Sequence, residues 1–441
     1  MAVILFSPVG GTDPISNSNY RDGSMLHIVR HFRPDIIHLY LTKEMLDHQK
    51  EDNRYLYCLE KLFELQHREN VDIREFQRPD LTEVHDFNFF YQEFRQLLEN
   101  IIQTKAPEDT LLVNVSSGTP AMKAALMSLV TLLHRDCQAI QVTTPDRSQN
   151  IHDNSNYDVI TLWELDPDNL PESENRSSIA TLPALWDLQM EAILRSNLSF
   201  YDYAAAGETA KALPPHKFNA VKDLISMAQN RYLLNYSEVD RLIRTTGYDC
   251  IPIKSGSIRP VFEYALGVEI RLKREEYADY VRSWSPLIYS LMKAYVKKLG
   301  INIDDFTYIN SNGVRCISES KLNRKPDLYR VLTGSYNSSG QPSFLSSRHM
   351  VLIIQVFGKS PDEISIFEKL RIAEESIRNK AAHEVIAITA RDILSATGLT
   401  AGQIMNLFKK AIRLIDDHAN EEAWKSYDCL NEYIIQALQQ G

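Results

Sequence analysis

The sequence predicts a chain of two classes: an N-terminal α/β domain built on a helix-wrapped parallel sheet, then a mainly α-helical region with a small β-containing insertion. Three observations carry this. Over residues 1–165, short apolar runs alternate with stretches of helical spacing, as a parallel sheet covered by helices requires. Residues 166–178 (DPDNLPESENRSS) are polar, acidic and Pro-containing, the composition of a linker. Beyond them helical periodicity dominates to the C-terminus, and 441 residues are too many for one ordinary domain.

Residues 2–6 form a continuous apolar run, the pattern of a strand covered on both faces. A Pro/Gly turn follows at 7–14, then a helix at 23–32, a strand at 35–41 and a helix at 53–67. Residues 71–76 read as a strand, 87–104 as a helix, 110–115 as a strand, 121–134 as a helix and 138–143 as a strand, with an edge strand at 157–165. Residues 179–299 read as a helical connecting region, broken by turns at Pro214-Pro215 and Ile251-Pro252. The last domain is placed at 300–441, with its β insertion near 306–357: strands at 306–318 and 349–357 around a flexible Gly/Ser/Asn segment at 333–347.

Composition narrows the function. With 44% hydrophobic and 24% charged residues the chain can bury a large core without covalent staples. A formal charge of −10 argues against coating nucleic acid with a broad basic surface, and leaves room for an enzyme that grips a few phosphates locally. The cysteines Cys58, Cys137, Cys250, Cys316 and Cys429 are scattered and form no Cys-x-x-Cys, which fits a reducing, cytoplasmic setting. The opening residues read as a first strand rather than a secretory leader, and no stretch approaches a membrane span.

Two places could carry chemistry. Ser116-Ser117-Gly118-Thr119-Pro120 turns from the strand ending at Asn114 into a helix, whose free N–H groups and positive dipole end make an anion site. The turn Ser7-Pro8-Val9-Gly10-Gly11-Thr12-Asp13 follows the first strand. In a doubly wound sheet both turns gather at the C-terminal strand edge, where ligands bind, with Thr12 and Asp13 available for ribose or base contacts. Gly, Ser and Pro punctuate most turns, so two ordinary turns remain the alternative at this point. No dinucleotide fingerprint and no ATPase phosphate loop is present.

The second place is Arg378-Asn379-Lys380-Ala381-Ala382-His383. A His moving the 2′-OH or 5′-oxygen proton and an Arg offsetting charge on the phosphorane could cleave RNA without metal. The spacing alone is weak, since it recurs at Arg21/His27, Arg33/His38, Arg78/His85, Arg147/His152 and Arg413/His418. Five helical positions advance about 140°, so a local break or a second copy must bring Arg378 and His383 to one phosphate.

Together these features resemble the type III CRISPR-associated CARF–HEPN ribonucleases. The residues that carry the resemblance are Phe6 to Pro14, Ser116 to Met122, and the Arg-Asn-x-x-Ala-His form at 378–383. The resemblance implies a Rossmann-like CARF domain, a C-terminal HEPN domain, and a homodimer binding a cyclic oligoadenylate made by the type III interference complex. Ligand contacts fall at Thr12, Asp13, Asn114, Ser116, Ser117, Gly118 and Thr119, with the hexamer favoured over the tetramer. Catalysis falls to Arg378, Asn379 and His383: metal-independent cleavage of single-stranded RNA, leaving a 2′,3′-cyclic phosphate. Slow degradation of the activator in the CARF pocket is a further implication.

Two other readings compete. A sensor-linked metal-dependent nuclease is suggested by Pro326-Asp327 and a strand at 351–357, but Gln355-Val356-Phe357 lacks the lysine such a site needs. A non-catalytic cyclic-nucleotide sensor acting on DNA needs a basic helix-turn-helix, and the C-terminal helices are mixed in charge. His27 and His31 could clamp a metal on one helix face, but an ordinary amphipathic helix explains them, as a packed core explains Phe87, Phe90 and Phe94.

Overall fold

The computed structural model describes residues 1–133, 136–144, 157–180, 183–254, 256, 258–332, 344–383 and 387–440, without the side chains of 183–184 and 378–383. The chain forms two compact units, Met1–Leu188 and Gln189–Gly441.

The first unit runs β1 (Val3–Pro8), α1 (Ser24–Phe32), β2 (Ile36–Thr42), α2 (Lys43–Asp52), α3 (Arg54–Leu65), β3 (Asp72–Arg78), α4 (Phe87–Thr104), β4 (Thr110–Asn114), α5 (Pro120–Leu132), β5 (Gln138–Val142), α6 (Val159–Leu165) and β6 (Ser177–Ala180). Its six strands lie in the order β3-β2-β1-β4-β5-β6, all parallel except β6. Strand alternation splits the core into two layers. Leu5 points into one with Leu26, Val29 and Leu59. Ile4 and Phe6 point into the other with Phe90, Phe94 and Leu126. Phe90 and Phe94 are therefore core, while Phe87 stays 40% exposed. The strand order reverses between β1 and β4, which opens a crevice at their C-terminal ends.

Two expectations for this unit are corrected. Residues 157–165 are helical, because Asp158 caps the N–H groups of Ile160 and Thr161 and buries Val159 and Leu162 at helical spacing. The edge strand is β6, which begins at the end of the segment expected as a linker. That segment is packed: Asp166 and Asp168 are 3% and 1% exposed, and Arg21 and Arg176 hold Asp168. The helix α2, directly after β2, has no counterpart in the sequence reading.

The second unit begins within α7 (Pro183–Ser199) and continues α8 (Tyr203–Ala210), α9 (Pro215–Tyr232), α10 (Tyr236–Thr246), α11 (Arg259–Lys273), α12 (Tyr277–Arg282) and α13 (Trp284–Lys298). A short hairpin follows, β7 (Thr307–Ile309) and β8 (Arg315–Ile317). Then come α14 (Glu319–Leu322), α15 (Pro326–Leu332), α16 (Ser347–Phe357), α17 (Pro361–His383), α18 (Ala390–Thr397), α19 (Ala401–Ile415), α20 (Glu421–Trp424) and α21 (Ser426–Gln440). Most of the expected flexible segment, 333–343, lies outside the described residues.

The strand expected at 349–357 is the helix α16. A short apolar run cannot by itself separate a buried strand from a buried helix. Here a reciprocal cap between Ser346 and His349 starts a helix that buries Met350, Ile353 and Ile354 against α13 and α17. The strand on which a metal-nuclease reading rested is therefore absent. Within the second unit, residues 189–299 do not stand apart from the last domain. α13 packs on α16, α17 and α19, and the Tyr280 hydroxyl donates to the Ala401 carbonyl at 2.9 Å. Arg231 on α9 and Glu263 on α11 form a fully buried pair at 2.7 Å, and Arg231 also donates to Ser426 Oγ at 2.8 Å. Among the described residues, no helix is long and apolar enough to cross a membrane.

Candidate functional site

The turns after β1 and β4 meet at the strand-order reversal. They touch through backbone: a Cβ on Gly10 would lie 2.7 Å from the Gly118 nitrogen. Gly118 itself has φ +86°, and a Cβ there would lie 2.7 Å from Met122 Sδ. Both positions need glycine, for close approach in one case and for left-handed backbone in the other.

A buried polar network welds the turns together. Asn114 Nδ2 donates to Ser7 Oγ and Ser117 Oγ, each at 2.9 Å, and its Oδ1 accepts the N–H groups of Ser116 and Ser117. Ser117 Oγ donates to Asp13 Oδ2 at 2.7 Å and lies 2.6 Å from Ser24 Oγ. The Asp13 carboxylate also accepts the N–H groups of Gly10 and Met25 at 2.8 and 3.0 Å. Burial pushes the Asp13 pKa above the ordinary carboxylate value, although these hydrogen bonds and the Lys123 charge act the other way.

The residues singled out in sequence thus divide. Asp13, Asn114 and Ser117 are buried and spend their side chains on bracing the turns. Ser116 Oγ accepts the Val142 N–H at 2.9 Å, which ties the second turn to β5. Thr119 caps α5 by accepting the Met122 N–H and donates to the Val84 carbonyl at 2.7 Å. Thr12 and Gly118 are half-buried and Gly11 is exposed, so the turns present mainly backbone to solvent, beside the N–H groups that open α5. Lys123, missed in sequence, stands one turn into α5. Its signal was a cation placed against the positive end of a helix dipole.

A second buried cluster underlies the β6 side. Arg30 is bidentate to Asp22, at 2.6 and 2.9 Å, and Arg21 and Arg176 pair with Asp168 at 2.8 and 2.7 Å. Burial would raise Asp22, yet Arg30 and His27 bring it down to about 2. Burial and the neighbouring Asp22 charge push Asp166 up to about 9. Arg30 stands 4.0 Å from Asp166 but is committed to Asp22, so the Asp166 charge is left without a close cation. Asp22, His27 and Asp168 have spacing suited to a metal. Three guanidinium groups already neutralise their carboxylates, and His27 Nε2 accepts the Arg176 N–H at 3.0 Å. His27 is turned to these partners rather than to a shared ligand with His31.

In the second unit, Arg378, Asn379 and His383 fall on the last turns of α17, with side chains outside the described residues. The helix is continuous to His383, so the local break that would bring Arg378 and His383 to one face does not occur. Just upstream, buried Glu374 accepts Ser347 Oγ at 3.0 Å and Arg371 Nη1 at 2.7 Å, clamping α17 to the start of α16. Of the competing pairs, Arg413 ends α19 and His418 lies beyond it, exposed and 2.9 Å from Asp416.

Comparison with known proteins matches both units. The family model of the Cas_Csm6 CARF domain matches residues 72–177, and that of the Cas_Csm6 HEPN domain matches residues 250–435. The CRISPR system endoribonuclease Csm6 of Mycobacterium tuberculosis is 31% identical over 435 residues, 97% of this chain and 99% of that protein. Csm6 of Enterococcus italicus is 24% identical over 402 residues, 87% of this chain and 88% of that protein. A solved structure of Enterococcus italicus Csm6 bound to cyclic hexa-2′-fluoro-hexa-dAMP superposes with a TM-score of 0.71, covering 99% of this chain and 100% of that chain at 19% identity. That likeness establishes the shared fold.

Proposed function

The chain belongs to the Csm6 family of type III CRISPR-associated CARF–HEPN endoribonucleases, and we propose that its first unit binds a cyclic oligoadenylate and thereby switches on metal-independent cleavage of single-stranded RNA by its second unit. The observation that carries the sensor half is the pair of abutting glycine turns beside the start of α5. Close backbone approach at the start of α5 and Lys123 suit a phosphodiester ring. Thr12, Gly118 and Thr119 meet the ligand mainly through backbone, while Asp13, Asn114 and Ser117 hold the turns in shape. The hexamer bound by the Enterococcus italicus relative favours a hexameric ring here.

The nuclease half rests on the continuity of α17. With Arg378 and His383 about 140° apart on one helix, a composite site needs the same helix from a second copy, hence a homodimer. His383 takes the 2′-OH proton as O2′ bonds to phosphorus, and the P–O5′ bond breaks with protonation of the leaving oxygen. Arg378 offsets charge on the phosphorane, and Asn379 orients the phosphate. The products are a 2′,3′-cyclic phosphate and a 5′-hydroxyl. Slow activator cleavage in the CARF unit would rely on placing the ring's own 2′-OH in line, since Asn114 and Ser117 are bonded inward. Mass spectrometry of products formed in EDTA is the test. Cyclic phosphate ends are expected, and cleavage that requires added metal would overturn the mechanism.

A further inference from the structure

The nuclease unit carries a basic groove that neither the activator site nor the Arg378/His383 motif uses. Lys298, Lys359, Lys410 and Arg413 line a cavity of about 440 Å³ between the ends of α13 and α19 and the turn from α16 into α17. Its acidic members are Glu363, which takes the Tyr295 hydroxyl, and Asp417. Lys298 Nζ donates to the Leu414 carbonyl at 2.6 Å, an ordinary cation at a helix C-terminus. Arg413, in the last turn of α19, stands at the same favourable dipole end, but Lys359 and Lys410 do not. Lys359, Lys410 and Arg413 are exposed and make no ion pair or side-chain hydrogen bond among the described residues. Lys359 stands two residues before α17, at the positive end of its dipole, where a cation is disfavoured unless an anion joins it.

Charge is also divided unevenly along the chain. Residues 189–441 hold 32 of the 48 Lys+Arg but only 29 of the 58 Asp+Glu. The net −10 therefore separates into −13 for residues 1–188 and +3 for the nuclease unit. The groove opens onto α17, the helix that ends in the catalytic motif. Glu363 and Arg378 are 15 positions apart, which places them about 22 Å along the axis and about 60° round it.

We propose that Lys359, Lys410 and Arg413 bind backbone phosphates of the single-stranded RNA substrate at a distance from the cut, so that the enzyme holds a longer strand than its active site touches. This rests on the ribonuclease reading and adds the substrate's path to it. The groove contributes ground-state binding, so it sets KM for long RNA and leaves the chemical step alone.

The test compares activated wild type with a Lys359→Gln/Lys410→Gln/Arg413→Gln variant on two RNAs: a four-nucleotide reporter and an unstructured strand of about 20 nucleotides. For the long RNA, KM should rise on the order of tenfold at low salt with kcat unchanged. The slope of log(1/KM) against log salt should shrink by about 2, from roughly 0.7 per lost phosphate contact. For the short reporter kcat/KM should stay at the wild-type value. Equal KM and equal salt slope on the long RNA would overturn the groove, and an equal loss on both RNAs would do the same. If wild type cleaves neither RNA, the ribonuclease reading fails on its own terms. The groove is then judged by anisotropy of the labelled long RNA, where unchanged affinity in the variant overturns it and tenfold weaker, less salt-dependent binding supports it.

Discussion

Gly118 shows how one residue can fix the geometry of a turn that is proposed to meet the ligand. Its positive φ disfavours any side chain by about 1–2 kcal/mol, and the neighbouring Met122 sulfur occupies the space a Cβ would need. Gly118→Ala should lower the melting temperature of the sensor unit and abolish stimulation by cyclic oligoadenylate, with unstimulated cleavage retained. Normal stimulation in an activator titration would remove the pocket from this place. Asp166 gives a second residue-level expectation. Its folded-state pKa is raised, so its contribution to stability is complete below the ordinary carboxylate range of about 4 and drains as pH rises through about 9. Asp22 runs oppositely, its contribution being lost as pH falls through about 2. Asp166→Asn should therefore flatten the decline in melting temperature between about pH 4 and about pH 9, and a decline as steep as wild type there would contradict the burial argument. The sequence showed Asp166 and Asp168 as linker acids because charge without a visible partner reads as solvent-exposed. Arg176 pairs with Asp168 from eight positions on, but Arg21 stands 147 positions away, where no local pattern reaches it.

At the scale of elements, the parallel sheet was legible because strands buried on both faces leave near-continuous apolar runs such as Val3 to Phe6. The same rule misled at Val351 to Phe357, where a short apolar run belongs to the buried helix α16. A cap formed through the His349 ring, outside the usual Glu or Gln, hid its start. The anchoring of α9 to α11 and α21 was equally hidden, since Arg231, Glu263 and Ser426 meet only in three dimensions. Arg231 is fully buried, bonded to Glu263 and Ser426 and 4.2 Å from the Tyr427 ring centroid. Arg231→Ala should destabilise the nuclease unit by about 3–5 kcal/mol in denaturant melts, because it strands the Glu263 carboxylate in the core. A loss under 1 kcal/mol would mean that the pair is open to water. The continuity of α17 is the element-level fact with most functional weight. Under the proposed Arg378/His383 mechanism, it is what calls for the helix of a second copy.

For the molecule as a whole, the order of the two units was readable from the change of periodicity near residue 180. The position of the boundary was not, because β6 starts at the end of the acidic segment and completes the first sheet. The two turns proposed for the activator were readable in the sequence as glycine-rich strand ends. Which of their residues face a ligand was not, since Asp13, Asn114 and Ser117 satisfy one another across more than 100 positions. A switch between the units needs the ring to favour the competent state by a few kcal/mol over the resting one. The most direct test is cleavage of a fluorescent single-stranded RNA in EDTA, with and without cyclic tetra- and hexaadenylate, in wild type and His383→Ala. The account predicts metal-free cleavage stimulated by the hexamer in wild type and absent from the variant. Stimulated cleavage that survives His383→Ala, or none in dimeric wild type with either ring, would contradict it.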